Sequence, residues 1–271
     1  MTNNRFTRQS FLGLDSDRTF SRAVVAIIGV CGGGSHIAQQ LAYLGFRNLR
    51  LFDPDHVQEP NLNRMVGSFP GDTTKNKTDV IRDQVLRIQP GASVELFPFK
   101  WQEQHAALRD SSIVFGCLDN FGQRDELEAY CRRFLIPYID IGMDVHEVAK
   151  GQFSISGQII TSLPAEPCMR CMGFITEERI AREAERYGDA GDRPQVIWPN
   201  GVLASTAVGV GVSLLTPWCN FSELIPFIEY DGNRHVLRPS SVLSMLQGRE
   251  CPHYPSDAVG DPFWQLGRKL H

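Results

Sequence analysis

The sequence predicts an α/β fold, a doubly wound, mostly parallel sheet continued by antiparallel strands in its C-terminal half. Three observations carry this. Short β-branched apolar runs alternate with helical patterns through residues 23–140, at the interval of βαβ units. A glycine run lies between the first strand and the first helix, where such sheets turn at a ligand. Beyond residue 150 the pattern changes to alternating strands and a hairpin turn.

Ala23 to Gly29 (AVVAIIG) is an apolar run with the signature of a strand buried on both faces. Ser35 to Leu44 carries apolar residues at helical spacing, and Gly45 ends that helix. Asn48 to Asp53 is a second strand, Lys77 to Ile88 an amphipathic helix stopped by Gln89-Pro90-Gly91, and Val94 to Phe99 a third strand. Ser111 to Leu118 is a fourth strand, Arg124 to Phe134 a helix, and Pro137 to Asp140 a fifth strand. Gly151 to Ile160 alternates as an antiparallel strand does. Pro226 to Tyr230 and His235 to Arg238 form a hairpin around Asp231-Gly232-Asn233. Thr176 to Pro194 is charged and reads as a helix running into a surface loop at Gly188-Asp189-Ala190-Gly191. Pro194 to Ser222 carries no charge. It is long enough to span a bilayer, yet its polar residues and two prolines favour a helix buried on all sides of a core, with small residues suited to a core or a dimer interface.

Composition narrows the function classes. The chain has 271 residues, 42% apolar and 21% charged, the mixture of one large domain or two small ones. A disordered, collagen-like or disulfide-stapled chain is excluded. The net charge of −4 offers no basic field, so neither nucleic acid nor a membrane surface is an expected partner. Seven cysteines behind a polar N-terminus without an apolar leader point to a reducing cytoplasm.

The candidate site residues gather at carboxyl ends of strands and starts of helices, the crevice where open sheets bind ligands. Gly32, Gly33 and Gly34 follow the first strand, and backbone amides there face an anion at a helix N-terminus. Cys31 occupies the third position of the dinucleotide fingerprint, where glycine is needed, which disfavours a nicotinamide dehydrogenase. Asp53 ends the second strand, where an acid accepts hydrogen bonds from ribose hydroxyls. Arg64 and Lys77 are cations suited to phosphate charge, and Asp119 after the fourth strand suits magnesium. Together these fit a nucleoside triphosphate with Mg2+.

These residues resemble the ThiF/MoeB-type adenylyltransferases, the family that includes ubiquitin-activating enzymes. The matching pieces are Arg5-Phe-Thr-Arg8-Gln9, Gly29-x-Cys-Gly-Gly-Gly-Ser35, Asp53-x-Asp55, Asn61-Leu-Asn-Arg64, Lys77, Cys117-Leu-Asp119-Asn120 with Arg124, Pro167-Cys-Met-Arg-Cys171, and Gly201-Val-Leu before a small-residue helix. They cover roughly residues 3 to 255 in the family's order. The resemblance implies a Rossmann-like sheet and ATP-dependent activation of a carboxylate, usually the C-terminal Gly-Gly of a ubiquitin-like or sulfur-carrier protein, as an acyl-adenylate with release of pyrophosphate. By the same match Gly32 to Gly34 bind phosphate, Asp53 binds ribose, and Asn61, Asn63, Arg64, Lys77 and Asn120 join the ATP site. Asp119 would hold Mg2+, and Arg8 would reach into the site of a homodimer partner. One integrated adenylation unit is expected: an arm over 1–22, an ATP-binding half over 23–145, and a carrier-binding half over 146–271.

Two departures from the family pattern bear on chemistry. Cys168-x-x-Cys171 matches the first pair of a four-thiolate zinc site, but the second pair is Cys251-Pro-His253-Tyr254. A Cys3His zinc site using His253 is therefore expected. Residues 172–218 hold no cysteine, so no thioester nucleophile stands in the crossover segment, and Cys219 reads as the end of a buried helix. Cys117 and Cys131 read as small buried residues. Alternatives are the same adenylation on a small peptide or a tRNA-base carboxylate, and an inactive partner subunit. Retention of Arg8, Arg64, Lys77 and Asp119 argues against the last.

Overall fold

A computed structural model describes residues 4–185, 194–220 and 224–254. The Gly188–Gly191 loop, Ser222 and residues 255–271 lie outside the described residues. The β-strands are β1 (Val24–Ile28), β2 (Asn48–Phe52), β3 (Ser93–Phe97), β4 (Ile113–Gly116), β5 (Tyr138–Ala149), β6 (Gln152–Ser162), β7 (Phe227–Asp231) and β8 (Val236–Pro239). The helices are α1 (Ser16–Arg22), α2 (Gly32–Leu44), α3 (Lys77–Ile88), α4 (Phe121–Arg133), α5 (Glu177–Glu185), α6 (Ile197–Leu215) and a short α7 (Leu243–Leu246).

All eight strands form one sheet, in the order β3-β2-β1-β4-β5-β6-β7-β8. The β3-β2-β1-β4-β5 portion is parallel, and every pairing from β5 to β8 is antiparallel. The fold class is the one expected. The order reverses between β1 and β4, the switch point at which doubly wound sheets bind ligands. Each side of the sheet has its own core. One packs α2, α3 and α6 through Ile37, Leu41, Ile81 and Leu203. The other packs α4 and the Cys168–Ile175 turn through Leu127, Tyr130, Met169 and Met172. Central strands are covered on both sides, which is why β1 and β4 are apolar throughout.

Three boundaries and one burial pattern differ from expectation. Helix α2 starts at Gly32, not Ser35, so the glycines form its first turn. Helix α4 starts at Phe121, not Arg124, because the Asn120 carboxamide accepts from the Gln123 amide as an N-cap. Strand β5 runs past Asp140 to Ala149, through the boundary drawn at 145/146, because β6 pairs with its whole length. Helix α6 is buried on one face only: Leu203, Ala204, Ala207, Val208, Gly211 and Val212 are covered, while Trp198 and Ser205 are exposed. It is long and apolar enough to cross a membrane, but it packs on α2, β5 and β6. Cys219 lies half-buried beyond the helix end, and Cys117 is half-buried rather than buried, while Cys131 is buried as expected.

The N-terminal segment is docked on its own chain. It is a 3-10 helix over Asn4–Leu12. Arg5 Nη1 donates to the Ile88 carbonyl at 2.7 Å and Gln9 Nε2 to the Leu44 carbonyl at 3.0 Å. The Phe6 ring fills the space at Gly45, where a Cβ would lie 2.9 Å from it.

The tightest point is the β1–α2 turn. A Cβ on Gly34 would stand 1.9 Å from the Gly29 carbonyl oxygen, inside the covalent framework of the turn. Gly34→Ala is therefore expected to cost about 3 kcal/mol or more, read as a shift of the urea midpoint with an unchanged slope.

Candidate active site

A cleft of about 1710 Å³ opens at the carboxyl ends of β1, β2 and β4 and continues along β5 and β6. Gly29, Cys31, Gly32 and Gly33 line one wall. Gly29 adopts φ +86°, and a Cβ there would meet the Cys117 carbonyl oxygen at 2.6 Å. The loops after β1 and β4 thus touch through backbone alone. A Cβ on Gly33 would lie 2.5 Å from Ile141 Cδ1, and one on Gly32 would lie 2.9 Å from the Asn200 carboxamide. Close packing therefore requires these glycines, besides the exposure of their amides. Cys31 is the helix N-cap with φ −83° and ψ −118°, so its φ is not the left-handed value that would call for glycine. No side chain caps α2, which leaves its first-turn amides for a ligand. Gly34 sits behind the loop, against Gly29, and does not line the cleft.

Asp53 joins the loop to the second strand. Its Oδ2 accepts from the Val30 amide at 2.9 Å and its Oδ1 from the Asp55 amide at 3.0 Å. Lys77 Nζ lies 3.8 Å from Asp53 Oδ1 and 2.7 Å from Asp55 Oδ2. Burial pushes the Asp53 carboxyl above its ordinary value, and Lys77 opposes this only in part. Burial would lower Lys77, but the Asp53 and Cys31 charges and Asp55 outweigh it and hold the ammonium above its ordinary value. Burial also raises the Cys31 thiol, with Lys77 and Arg64 pulling it down.

Arg64 reaches the cleft from the loop after β2. Its Nη1 donates to the Pro60 carbonyl and, at 3.1 Å, to Asn63 Oδ1, while its buried Nε has no partner among the described residues. Asn61 is buried, and its Oδ1 accepts from the Gln58 amide at 3.0 Å. Asn63 lies outside the cleft lining and donates to the Gln195 carbonyl at 3.0 Å, tying the β2 loop to the segment before α6.

Asp119 lines the opposite wall, on the loop leaving β4. Asn120 is outside the lining, spent on capping α4. Behind Asp119, the buried Arg124 donates to the Leu118 carbonyl and pairs with the fully buried Asp140. Glu183 of α5 accepts from the Phe121 amide at 2.6 Å, which seats α5 at the cleft rim. Asn200 donates to the Val196 carbonyl at 3.0 Å and fixes the start of α6 against the glycine turn at Gly32. The roles of Asp140, Glu183 and Asn200 carry no sequence signal, because each depends on a neighbour that only the fold brings alongside: Arg124, the Phe121 amide and Gly32. Arg8 is exposed and lies away from this cleft in its own chain.

On the far side of α4, Cys168, Cys171, Cys251 and His253 bring their ligand atoms within 4.8 Å of one another. The Cys168–Cys171 and Cys171–Cys251 sulfur separations are both 3.6 Å, and His253 Nδ1 lies 3.5 and 3.4 Å from the sulfurs of Cys168 and Cys171. Four donors about 2.0–2.3 Å from a tetrahedral ion stand about 3.5–3.8 Å apart, so this donor set fits a metal. Tyr254 is no part of it, since its ring packs under the Arg132 guanidinium at 5.7 Å. The turn is held from below, where buried Glu128 accepts from the Met169 amide at 2.9 Å and from Ser162 Oγ at 2.5 Å. Burial pushes the Glu128 carboxyl up to about 7, against those hydrogen bonds.

An α/β sheet of this order, with a glycine turn at its switch point and an antiparallel extension, defines a Rossmann-like ligand-binding class. The ThiF family profile matches residues 4–221, and the chain belongs to the ThiF family. It is 31% identical over 131 residues to the tRNA threonylcarbamoyladenosine dehydratase of Haemophilus influenzae, covering 47% of this chain and 50% of that one. It is 29% identical over 179 residues to the molybdopterin-synthase adenylyltransferase of Escherichia coli, covering 64% of this chain and 69% of that one. The chain thus spans about half of the first relative and about two thirds of the second. The crystal structure of E. coli MccB with ATP superposes with a TM-score of 0.72 at 22% identity, over 88% of this chain and 72% of that one, a likeness of fold.

Removing Lys77 leaves burial of Asp53 less opposed, so the folded-state pKa of Asp53 climbs further above its unfolded value. A carboxyl raised in that way holds its proton better folded than unfolded, and stability falls as pH rises through and above the carboxylate range. Lys77→Met is expected to cost about 3 kcal/mol at pH 7 and clearly less at pH 4.5, measured by urea unfolding at the two pH values.

Proposed function

We propose that this chain is an ATP-dependent adenylyltransferase that activates a carboxylate as its acyl-adenylate and releases pyrophosphate. The observation that carries the reading is the convergence of an uncapped helix start, a buried acid, two cations and a second acid on one cleft. The Gly32 and Gly33 amides receive phosphate oxygens, and Gly34 keeps the loop closed behind them. Asp53 has lone pairs left beyond the Val30 and Asp55 amides, and these accept from ribose hydroxyls. The orphaned Arg64 Nε supplies a donor for phosphate, Lys77 adds a fixed charge, and Asn61 braces the loop that bears Arg64. Asp119 offers hard carboxylate oxygens suited to Mg2+, which would neutralise phosphate charge. A carboxylate oxygen attacks the α-phosphorus. A carbon–oxygen–phosphorus linkage forms as the bond from that phosphorus to the bridging oxygen breaks, and its electron pair leaves on pyrophosphate. Positioning and charge stabilisation supply the rate.

The substrate we infer is the C-terminal glycine of a ubiquitin-like or sulfur-carrier protein. Relatives named for molybdopterin synthase and for the sulfur carrier protein ThiS support this. A specific observation favours a second reading, adenylation of a small hydrophilic peptide. Asp144, His146, Ser154, Ser156, Glu229 and Asp231 line the cleft where it continues along the sheet, a polar wall. Adenylation is the last step the chain performs, since no cysteine stands in 172–218. We further infer a cytoplasmic homodimer to which the exposed Arg8 contributes. The Phe11, Leu14 and Trp218 side chains exposed near the N-terminal segment support the dimer, and seven free cysteines support the reducing compartment.

Pyrophosphate exchange is expected with a carrier ending in Gly-Gly, and with neither a peptide library nor tRNA; exchange with a peptide alone selects the second reading. Arg64→Ala and Asp119→Ala should each lower exchange by about 10²–10³ while the circular dichroism spectrum is unchanged. Exchange near the wild-type rate in both would sink the site assignment. We also propose that Cys168, Cys171, Cys251 and His253 bind Zn2+. Atomic emission should find about one zinc per chain, and Cys168→Ser should lose it with a lower melting temperature.

A further inference from the structure

We propose that Asp140 is a positioning residue for Asp119, acting through Arg124. The proposal rests on the reading of Asp119 as the magnesium carboxylate. Asp119 sits on the loop after β4, and the carbonyl of the residue before it, Leu118, accepts from Arg124 Nη2. The other arm of the same guanidinium pairs with Asp140 Oδ2 on β5. Asp140 Oδ1 accepts from the Tyr138 hydroxyl at 2.8 Å. Asp140 and Tyr138 are wholly buried and Arg124 nearly so. Gly142 leaves room for the arrangement, since a Cβ there would stand 2.5 Å from Arg124 Nη2.

A buried ion pair is a poor stabiliser, because apolar residues of the same volume commonly serve as well. It does fix direction. The planar guanidinium presents its donors in a rigid fork, so engaging Asp140 with one arm determines where the other points. The chain of contacts runs Tyr138, Asp140, Arg124, Leu118 carbonyl, Asp119. It sets the height of the Asp119 loop above the sheet. Without the Asp140 charge, the buried guanidinium loses its counter-ion and turns toward other acceptors, and the loop loses its anchor. Outer partners of metal ligands commonly matter by about 10–100-fold in metal affinity.

The test is isothermal titration of ATP into the full chain, in EDTA and in magnesium chloride, for wild type, Asp140→Asn and Tyr138→Phe, with thermal unfolding of each. Wild type should bind ATP in EDTA and gain affinity with magnesium. Asp140→Asn should keep its EDTA affinity within about twofold and lose about tenfold of the magnesium gain. Tyr138→Phe should stay folded and lose a smaller part of that gain. A purely structural role would lower the melting temperature and leave the magnesium gain of the folded protein intact. That result in Asp140→Asn, or in Tyr138→Phe should the first variant not fold, overturns the proposal. Wild type that binds ATP without any magnesium gain, or does not bind ATP, overturns the underlying reading and the proposal with it. Those failures appear in the wild-type traces alone, so they are distinguishable from a failure of Asp140.

Discussion

The buried carboxylate of Asp53 is the group on which the β1–β2 side of the cleft depends. A carboxylate removed from water must be given partners or it becomes costly. Its partners here come from three elements: the Val30 amide of the β1 loop, the Asp55 amide just beyond β2, and the Lys77 ammonium at the head of α3. The need of one charge therefore holds three segments in register. The β1–α2 loop is positioned by this bond to its backbone together with the buried Val30 side chain beside it. Burial still raises the Asp53 pKa, so the arrangement is held under electrostatic tension that Lys77 relieves in part.

Buried charges recur on the other side of the sheet. Arg124 with Asp140, and Arg132 with Glu128 and Ser162, sit beneath the Asp119 loop and beneath the Cys168–Cys171 turn. In each case a polar group inside the core sets the direction of a loop whose residues face outward. The Asp119 loop and the sulfur-and-imidazole cluster are thus both supported from within α4.

The parallel half was legible in the sequence because its strands are covered on both faces and read as unbroken apolar runs. The distal half of β5 is not covered in this way: Asp144, His146 and Glu147 are exposed, so no apolar run marks it, and only pairing with β6 reveals the strand. The absence of charge in 194–222 announced a helix but not its sides, since a charge-free surface face looks like a core face. Asp53, Arg64, Lys77 and Asp119 are legible as candidate residues because they follow strands or open a helix, and they line one cleft. The backbone duties of Gly34, Asn63 and Asn120 were not, because they rest on a close approach, a remote carbonyl and a helix start. Cys31 looked like damage to a fingerprint, yet the loop at that position has an ordinary negative φ.

Strand β5 carries a mechanical consequence. Its first residues are buried beside β4, and its last ones stand in solvent at the hairpin tip. At about 3.3 Å per residue it is a beam about 40 Å long, clamped at one end. Asp140 lies near the clamp and His146 near the free end. A load on the hairpin tip would act on the floor of the cleft along a single continuous backbone. Movement of the tip and of the buried base is thereby connected without any hinge between them.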